Sequence, residues 1–234
     1  MAKKGPQRKL KRFGAPKTMH LHPKEGKFAV RVQPGPHSME RSAPLGYLLR
    51  DVLKITQTLR ETKLILSEGK VKVNGVVRKS HRFPVGLFDI ISIDGLENDY
   101  RMVYDTKGRL KAENVEQKLG DIVRPCKVIR KTMIKGGKIQ ITTDDGRNIL
   151  VKDNSIKVND TVMMKLPKQE ILEVKKMEPN AVVYIIGGPH ISKQAVVKEI
   201  KAGSEKSPKV VVLKQDNKEF ETTIDNVIVV GKRE

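Results

Sequence analysis

The chain has 234 residues, enough for two or three compact units, and its 47 Lys and Arg against 27 Asp and Glu leave a formal net charge of +20. That much charge of one sign repels itself and calls for a polyanion, nucleic acid or an anionic membrane surface. A membrane is disfavoured because the longest apolar stretches, such as Ala181 to Ile186, are far short of the roughly 20 residues a spanning helix needs.

At the start, Lys3 and Lys4 lead into further basic residues and no apolar run, so no secretory signal is expected. Residues 1–41 carry Lys3, Lys4, Arg8, Lys9, Lys11, Arg12, Lys17, Lys24, Lys27, Arg31 and Arg41 against Glu25 and Glu40 alone. Pro6, Pro16, Pro23, Pro34 and Pro36 forbid a long helix here. The segment is expected to be a basic extended arm that cannot build its own core and is ordered by phosphate contacts. Leu10, Phe13, Leu21, Phe28, Val30 and Val32 are apolar anchors that a merely solubilising tail would not need.

Residues 42–93 change character. Leu45, Leu48, Leu49, Val52 and Leu53 recur at i, i+3, i+4, i+7 and i+8, the spacing of one helix face, with Arg50, Asp51 and Lys54 on the other. Ser42 is placed to cap this helix and Pro44 to occupy its first turn. A second helix opens on the capping box Thr58 and Glu61 and ends near Gly69, with Leu59, Ile65 and Leu66 inward and Arg60 and Lys63 one turn apart on a charged face. The period then switches to strand. Val71 and Val73 alternate with Lys70 and Lys72, Asn74-Gly75 supplies a tight hairpin turn, Val76-Val77 begins the return, and Ile90 to Ile93 form a further strand after Asp89.

From residue 94 the pattern is β. Ile122 to Arg130 suggests one or two strands interrupted at Pro125. Ile139 and Ile141 then lead through Asp144-Asp145-Gly146-Arg147-Asn148 into Ile149 to Val151. Two roles are open for that turn: presenting Arg147 to RNA, or simply closing the hairpin. Val162 to Leu166 and Ile171 to Val174 extend this central β domain to residue 176. In 177–234, Val182, Tyr184 and Ile186 alternate with Val183 and Ile185, Gly187-Gly188-Pro189 turns the chain, and strands follow at Val196 to Ile200, Lys209 to Leu213 and Ile224 to Val230. Short strands between Gly, Pro and Asn turns favour a small barrel.

Leu59-Arg60-Glu61, Val71 to Gly75 and Asp89 to Ile93 resemble the helix-helix-sheet S4 RNA-binding module, which implies RNA binding and no particular activity. Gly5-Pro6, Leu10-Lys11-Arg12, Ala15-Pro16, Gly35-Pro36-His37, Pro44-Leu45 and Leu49-Arg50 narrow the match. With Phe83-Pro84-Val85-Gly86, Tyr100-Arg101, Tyr104-Asp105, Lys107-Gly108-Arg109 and Asp145-Gly146-Arg147-Asn148, they resemble the archaeal and eukaryotic small-subunit ribosomal protein four-e family. The last segment resembles a KOW motif, an SH3-like barrel. It departs from that family's Gly-Arg-x-Gly loop in reading Ser192-Lys193-Gln194-Ala195, which keeps a positive charge and loses two glycines; Lys193 is the RNA contact expected there.

Catalytic signatures are absent from the sequence. His20, His22, His37, His81 and His190 do not cluster at metal-ligand spacing with acids or with Cys126, which, as the one cysteine, supplies neither a disulfide framework nor a cysteine zinc site. No Walker loop, Rossmann fingerprint or nucleophile elbow is present. Scarce aromatics, with no Trp and plentiful Lys and Arg, point to a grip on folded RNA through shape and phosphates.

The fold expected is α+β: a basic arm (1–41), an S4-type module (42–93), a central β domain (94–176) and a KOW-like SH3-type barrel (177–234). The expected function is a non-enzymatic constituent of the small ribosomal subunit in the cytoplasm, partnered by small-subunit rRNA and neighbouring ribosomal proteins. No membrane, cofactor, metal, small-molecule substrate or homo-oligomer is expected. RNA contacts are expected from Lys3, Lys4, Arg8, Lys9, Lys11, Arg12, Lys17, Arg41, Arg50, Arg60, Lys63, Lys70, Lys72, Arg78, Lys79, Arg147 and Lys193. The rival readings are an RNA-modifying enzyme of the pseudouridine-synthase type, which needs a large catalytic domain, and a KOW-containing transcription factor, which would travel with RNA polymerase.

Overall fold

A computed structural model describes residues 9–22, 24, 26–96, 98–115, 122–151, 154–203, 208–215 and 218–232. The fold is mixed, mostly β with few helices. The chain divides into two compact units, one of Met1–Val103 with Arg109–Lys118, the other of Tyr104–Gly108 with Leu119–Glu234.

In the first unit the N-terminal segment is folded over its described residues. Strand Leu10–Lys11 pairs antiparallel with Phe28–Ala29, and Leu10, Met19 and Val32 are buried. The Tyr47 hydroxyl accepts from the His20 amide at 2.9 Å and donates to the His20 carbonyl at 3.0 Å. Burial of these apolar side chains, at about 1.5–3 kcal/mol for a fully buried one, offsets ordering that the sequence assigned to phosphate contacts alone. Two of the expected anchors are not anchors: Phe13 is fully exposed and Phe28 half-exposed.

The first helix also differs from expectation. It is a short α-helical turn, Leu45–Tyr47, running into a π-helical turn, Leu48–Val52, in which the Leu53 amide reaches the Leu48 carbonyl, five residues back, at 2.8 Å. Ser42 does not cap it; its hydroxyl donates to the Ser38 carbonyl at 2.6 Å. Pro44 is the extended residue before the helix, in a two-residue strand Ala43–Pro44 paired with Pro84–Val85. The free N–H groups of the first turn are taken instead by a distant segment: Leu45 N–H donates to Phe83 O at 2.9 Å and Gly46 N–H to His81 O at 2.8 Å. A Cβ on Gly46 would lie 3.0 Å from that His81 carbonyl, so glycine permits the approach. Leu45, Leu48 and Leu49 are buried as the spacing requires, while Val52 and Leu53 are half-buried.

The second helix, Leu59–Ser67, has the expected capping box, with Glu61 N–H donating to Thr58 Oγ1 at 3.2 Å and Thr58 N–H to Glu61 Oε2 at 3.4 Å. Gly69 follows it at φ 78°. The Asn74-Gly75 turn has φ 52° and 77°, the left-handed pair of a type I′ hairpin. One antiparallel sheet in spatial order comprises Val76–Val77, Val71–Val73, Ile90–Ile93, Asp99–Tyr104 and Leu110–Val115. Ile90 pairs with Arg101 and Ile91 with Tyr100, so this sheet continues beyond the expected division after Ile93.

The second unit contains two five-stranded antiparallel sheets. The long strand Ile122–Met133 is not interrupted at Pro125. It pairs with Thr161–Leu166 through Lys127, then, across a bulge between Val128 and Arg130, with Ile139–Thr143. Pro125 thus lies where the strand has a ladder partner on one side only, and its missing N–H is tolerated. Asn148–Val151 and Glu170–Lys175 complete this sheet. Val128, Ile141, Ile156 and Val162 form its core.

The second sheet is a meander of Ala181–Ile185, Gln194–Lys201, Val210–Gln215 and Lys218–Thr223, the last of which the sequence did not disclose. A 3₁₀ turn at Ile224–Asn226 then returns Val227–Lys232 beside the first strand. Ala181, Val183, Ile185, Val197, Leu213 and Val229 point into a common core.

Candidate nucleic-acid interface

The side chains expected to meet RNA fall into two chemical states. Lys3, Lys4 and Arg8 lie outside the described residues. Lys9, Lys11, Lys17, Arg60, Lys63 and Lys79 are exposed, and no carboxylate pairs with them among the described residues. Several others are already matched. Arg50 is bidentate to neighbouring Asp51, at 3.0 Å through Nε and 2.8 Å through its terminal nitrogen. Lys70 meets Glu68 at 2.7 Å and Lys72 meets Asp94 at 3.0 Å. These exposed pairs are each worth about 0–1 kcal/mol, so a phosphate can displace the carboxylate at small cost.

The exposed cations gather most visibly around the second helix. Arg60 and Lys63 stand on its outer face, and the segment after the hairpin brings Lys79, His81 and Arg82. Burial first, then the charges of Lys63 and Arg82, hold the His81 imidazole below its ordinary value. An imidazole that two cations depress reports a local positive field. Arg82 and His81 were missed in the sequence because only the carbonyl contacts of residues 81 and 83 to the first helix bring them here. Arg82 Nε also donates to Arg31 O at 3.0 Å, and the Arg78 guanidinium lies 4.5 Å from the Phe83 ring centroid. Arg12 is half-buried, and Arg41 is exposed. Arg12 N–H donates to Lys27 O at 3.1 Å.

A second polar centre, His37–Asp89–Asn74, has the shape of a catalytic dyad and a different use. His37 Nε2 lies 2.9 Å from Asp89 Oδ2, which also accepts from Gly86 N–H at 2.8 Å. Asp89 Oδ1 accepts from Asn74 Nδ2 at 2.8 Å, and Asn74 Oδ1 accepts from Ile90 N–H at 3.0 Å. The His37–Asp89, Asn74–Asp89 and Asn74–Ile90 bonds join separate chain segments, and no nucleophile stands beside the imidazole among the described partners. The centre fastens residues 35–37 to the sheet, where a Cβ on Gly86 would lie 2.7 Å from the His37 ring.

In the second unit, Asp144-Asp145-Gly146-Arg147 closes the hairpin over a buried ion cluster. Arg124, 1% exposed, meets Asp145 Oδ2 at 3.3 Å and Asp144 Oδ2 at 3.8 Å; Arg147 Nε meets the same Asp145 oxygen at 2.8 Å. Thr143 Oγ1 donates to Asp145 Oδ1. Of the two roles open for this turn, the geometry fills the structural one: Arg147 holds Asp145 and is mostly covered. Cys126 Sγ and the two carboxylates lie within 4.8 Å of one another. Two guanidiniums already balance the two carboxylates, and burial raises the thiol far above its ordinary value, so an ion would find neither excess negative charge nor a thiolate. Lys193 is exposed in the loop after Ser192, whose φ is 75°. Arg147 and Lys193 thus belong to a different unit from the cations around His81.

Residues 96–171 match the ribosomal family S4e and residues 4–40 match the RS4NT domain. The small ribosomal subunit protein eS4 of Methanocaldococcus jannaschii is 40% identical over 100% of this chain and 98% of its own length. The chain belongs to the S4e family. The eS4 protein of Archaeoglobus fulgidus is 39% identical over 96% of this chain and 93% of its own. Among solved structures, the 30S ribosomal protein S4e of Thermoplasma acidophilum is similar with a TM-score of 0.71 at 34% identity, covering 82% of this chain and 96% of that one. The S4e match spans strands of both units, and the RS4NT match covers the segment that folds against the first helix.

Proposed function

We infer that this protein is a structural constituent of the small ribosomal subunit, bound to its rRNA and acting in translation on the cytoplasmic ribosome. The observation that carries this is the full-length likeness to S4e proteins of the small subunit, joined to a net charge of +20 that a phosphate backbone neutralises. A pseudouridine-synthase-like enzyme or a transcription factor finds no relative among these proteins.

The finer reading is also proposed. The helix-helix-sheet arrangement from Leu45 to Ile93 supports an S4-type RNA-binding module, its sheet extended by the strands to Val115. The meander with its final strand returned beside the first supports a KOW-like SH3-type barrel in residues 177–234, and the five-stranded sheet that runs from Ile122 to Lys175 supports the central β domain expected over residues 94–176. RNA contacts are assigned to Lys3, Lys4, Arg8, Lys9, Lys11, Arg12, Lys17 and Arg41 in the arm, to Arg50, Arg60, Lys63, Lys70, Lys72, Arg78 and Lys79 in the module, and to Lys193 in the last loop; Arg147 contributes through the turn it holds. The protein acts as a single copy among neighbouring ribosomal proteins, without small-molecule substrate or membrane.

Sedimentation tests the assignment. Co-migration of the tagged chain with small subunits through a high-salt wash is the expected result; a free protein, or one that travels with RNA polymerase or modifies RNA, overturns it.

A further inference from the structure

The aromatic residues are few, yet two of the five phenylalanines stand outside any core on the same N-terminal hairpin. Phe13 sits at the tip of the 3₁₀ turn Arg12–Gly14, with its whole ring in solvent. Phe28 is half-exposed on the returning strand, opposite Lys11 in the register, and Lys11 precedes Phe13 by two positions. Neither ring packs a core, and a lone solvent-facing phenylalanine gains nothing for stability. Backbone hydrogen bonds fix the positions that carry them: Arg12 N–H donates to Lys27 O at 3.1 Å, and Ala15 N–H closes the turn on Arg12 O at 3.1 Å.

The charge around the rings identifies what they face. Lys9 Nζ lies 5.6 Å and Lys27 Nζ 5.8 Å from the Phe28 ring centroid. Residues 9–22 contain Lys9, Lys11, Arg12 and Lys17 and no Asp or Glu. An apolar protein partner would have to bury these cations beside its own apolar surface at high desolvation cost. A nucleic acid offers both complements at once, phosphates for the ammonium groups and a base face for the ring.

We propose that Phe13 and Phe28 form a stacking platform for unstacked bases of RNA, flanked by lysines that hold the adjoining phosphates. The proposal rests on the RNA-binding function above and adds to it: the module and its cations grip folded RNA by shape and charge, whereas this hairpin grips a single-stranded loop or bulge by base stacking.

The chain has no tryptophan, so Phe13→Trp in the full-length protein gives a single indole reporter at the tip. Titration with a single-stranded oligoribonucleotide is expected to quench that indole strongly, while an RNA duplex of equal length quenches it little. Against a small-subunit rRNA fragment, Phe13→Ala and Phe28→Ala are each expected to weaken binding about 5- to 150-fold, the range seen when one base-stacking aromatic is removed, with an unchanged salt slope because no cation is removed. Phe13→Leu separates the two partner classes. It keeps apolar bulk and loses the π-face, so loss of RNA affinity equal to that of Phe13→Ala supports stacking. Affinity retained by Phe13→Leu, equal quenching by duplex, or wild-type binding by both alanine variants overturns the proposal. Any of those results with continued co-sedimentation on small subunits leaves the ribosomal assignment standing; loss of co-sedimentation by the wild-type chain marks failure of that assignment instead.

Discussion

Asp145→Asn gives the sharpest test of how the second unit is held together. Asp145 and Arg124 are each 1% exposed as side chains, and Asp145 Oδ2 serves both Arg124 and Arg147. The substitution keeps shape and volume, removes the carboxylate 3.3 Å from Arg124 and retains Asp144, at 3.8 Å and itself 23% exposed. Removing one partner of a buried pair costs about 3–5 kcal/mol; the residual attraction to Asp144 puts the loss near the lower end, about 3 kcal/mol, which corresponds to a fall of roughly 10–15 °C in the melting temperature of a unit of this size. Calorimetry of the intact chain reads it as a downward shift of one transition. A shift under about 3 °C for Asp145→Asn would refute the view that this carboxylate is what makes a buried arginine tolerable.

Three further outcomes follow from the first unit. Arg60→Ala with Lys63→Ala should weaken rRNA binding and flatten the plot of log affinity against log salt by about one unit for each phosphate no longer neutralised; an unchanged slope would mean that helix face does not touch RNA. His81, held below its ordinary value by burial and by Lys63 and Arg82, binds its proton more readily when unfolded. Its contribution to stability is therefore complete above the unfolded value of 6.5 and lost as pH falls below it, and bound phosphates, by offsetting those cations, should raise its titration midpoint in NMR; an unmoved midpoint in the complex would place RNA elsewhere. Gly86→Ala sets a Cβ against the His37 ring and should expel it, destabilising the unit by about 1–3 kcal/mol and exposing residues 35–37 to limited proteolysis; wild-type resistance would show that His37 yields freely.

What could be foreseen from the sequence was local. The capping box of Thr58 and Glu61 and the left-handed pair Asn74-Gly75 depend on neighbours three residues away or fewer, and both form as expected. Ser42 and Pro44 have the chemistry of a helix start, but Phe83 and His81 carbonyls, nearly forty residues on, satisfy the same N–H groups, so the local signal was overridden. Arg147 looked equally suited to RNA or to the turn because the residue that decides, Arg124, reaches the turn only after the sheet is paired. Phe28 looked like a core anchor because hydrophobicity alone does not tell which side of a two-residue ladder faces water, and Phe13 because nothing in its neighbours marks the exposed 3₁₀ turn Arg12–Gly14 that carries it.

The Asp89 carboxylate has a wider reach than its individual hydrogen bonds suggest. It is the junction at which a basic N-terminal segment, a hairpin turn and a central strand meet, segments that a nascent chain releases at different times. The His37 ring of the early-made segment therefore gains this partner only when residue 89 has emerged, long after the Tyr47 hydroxyl that holds His20.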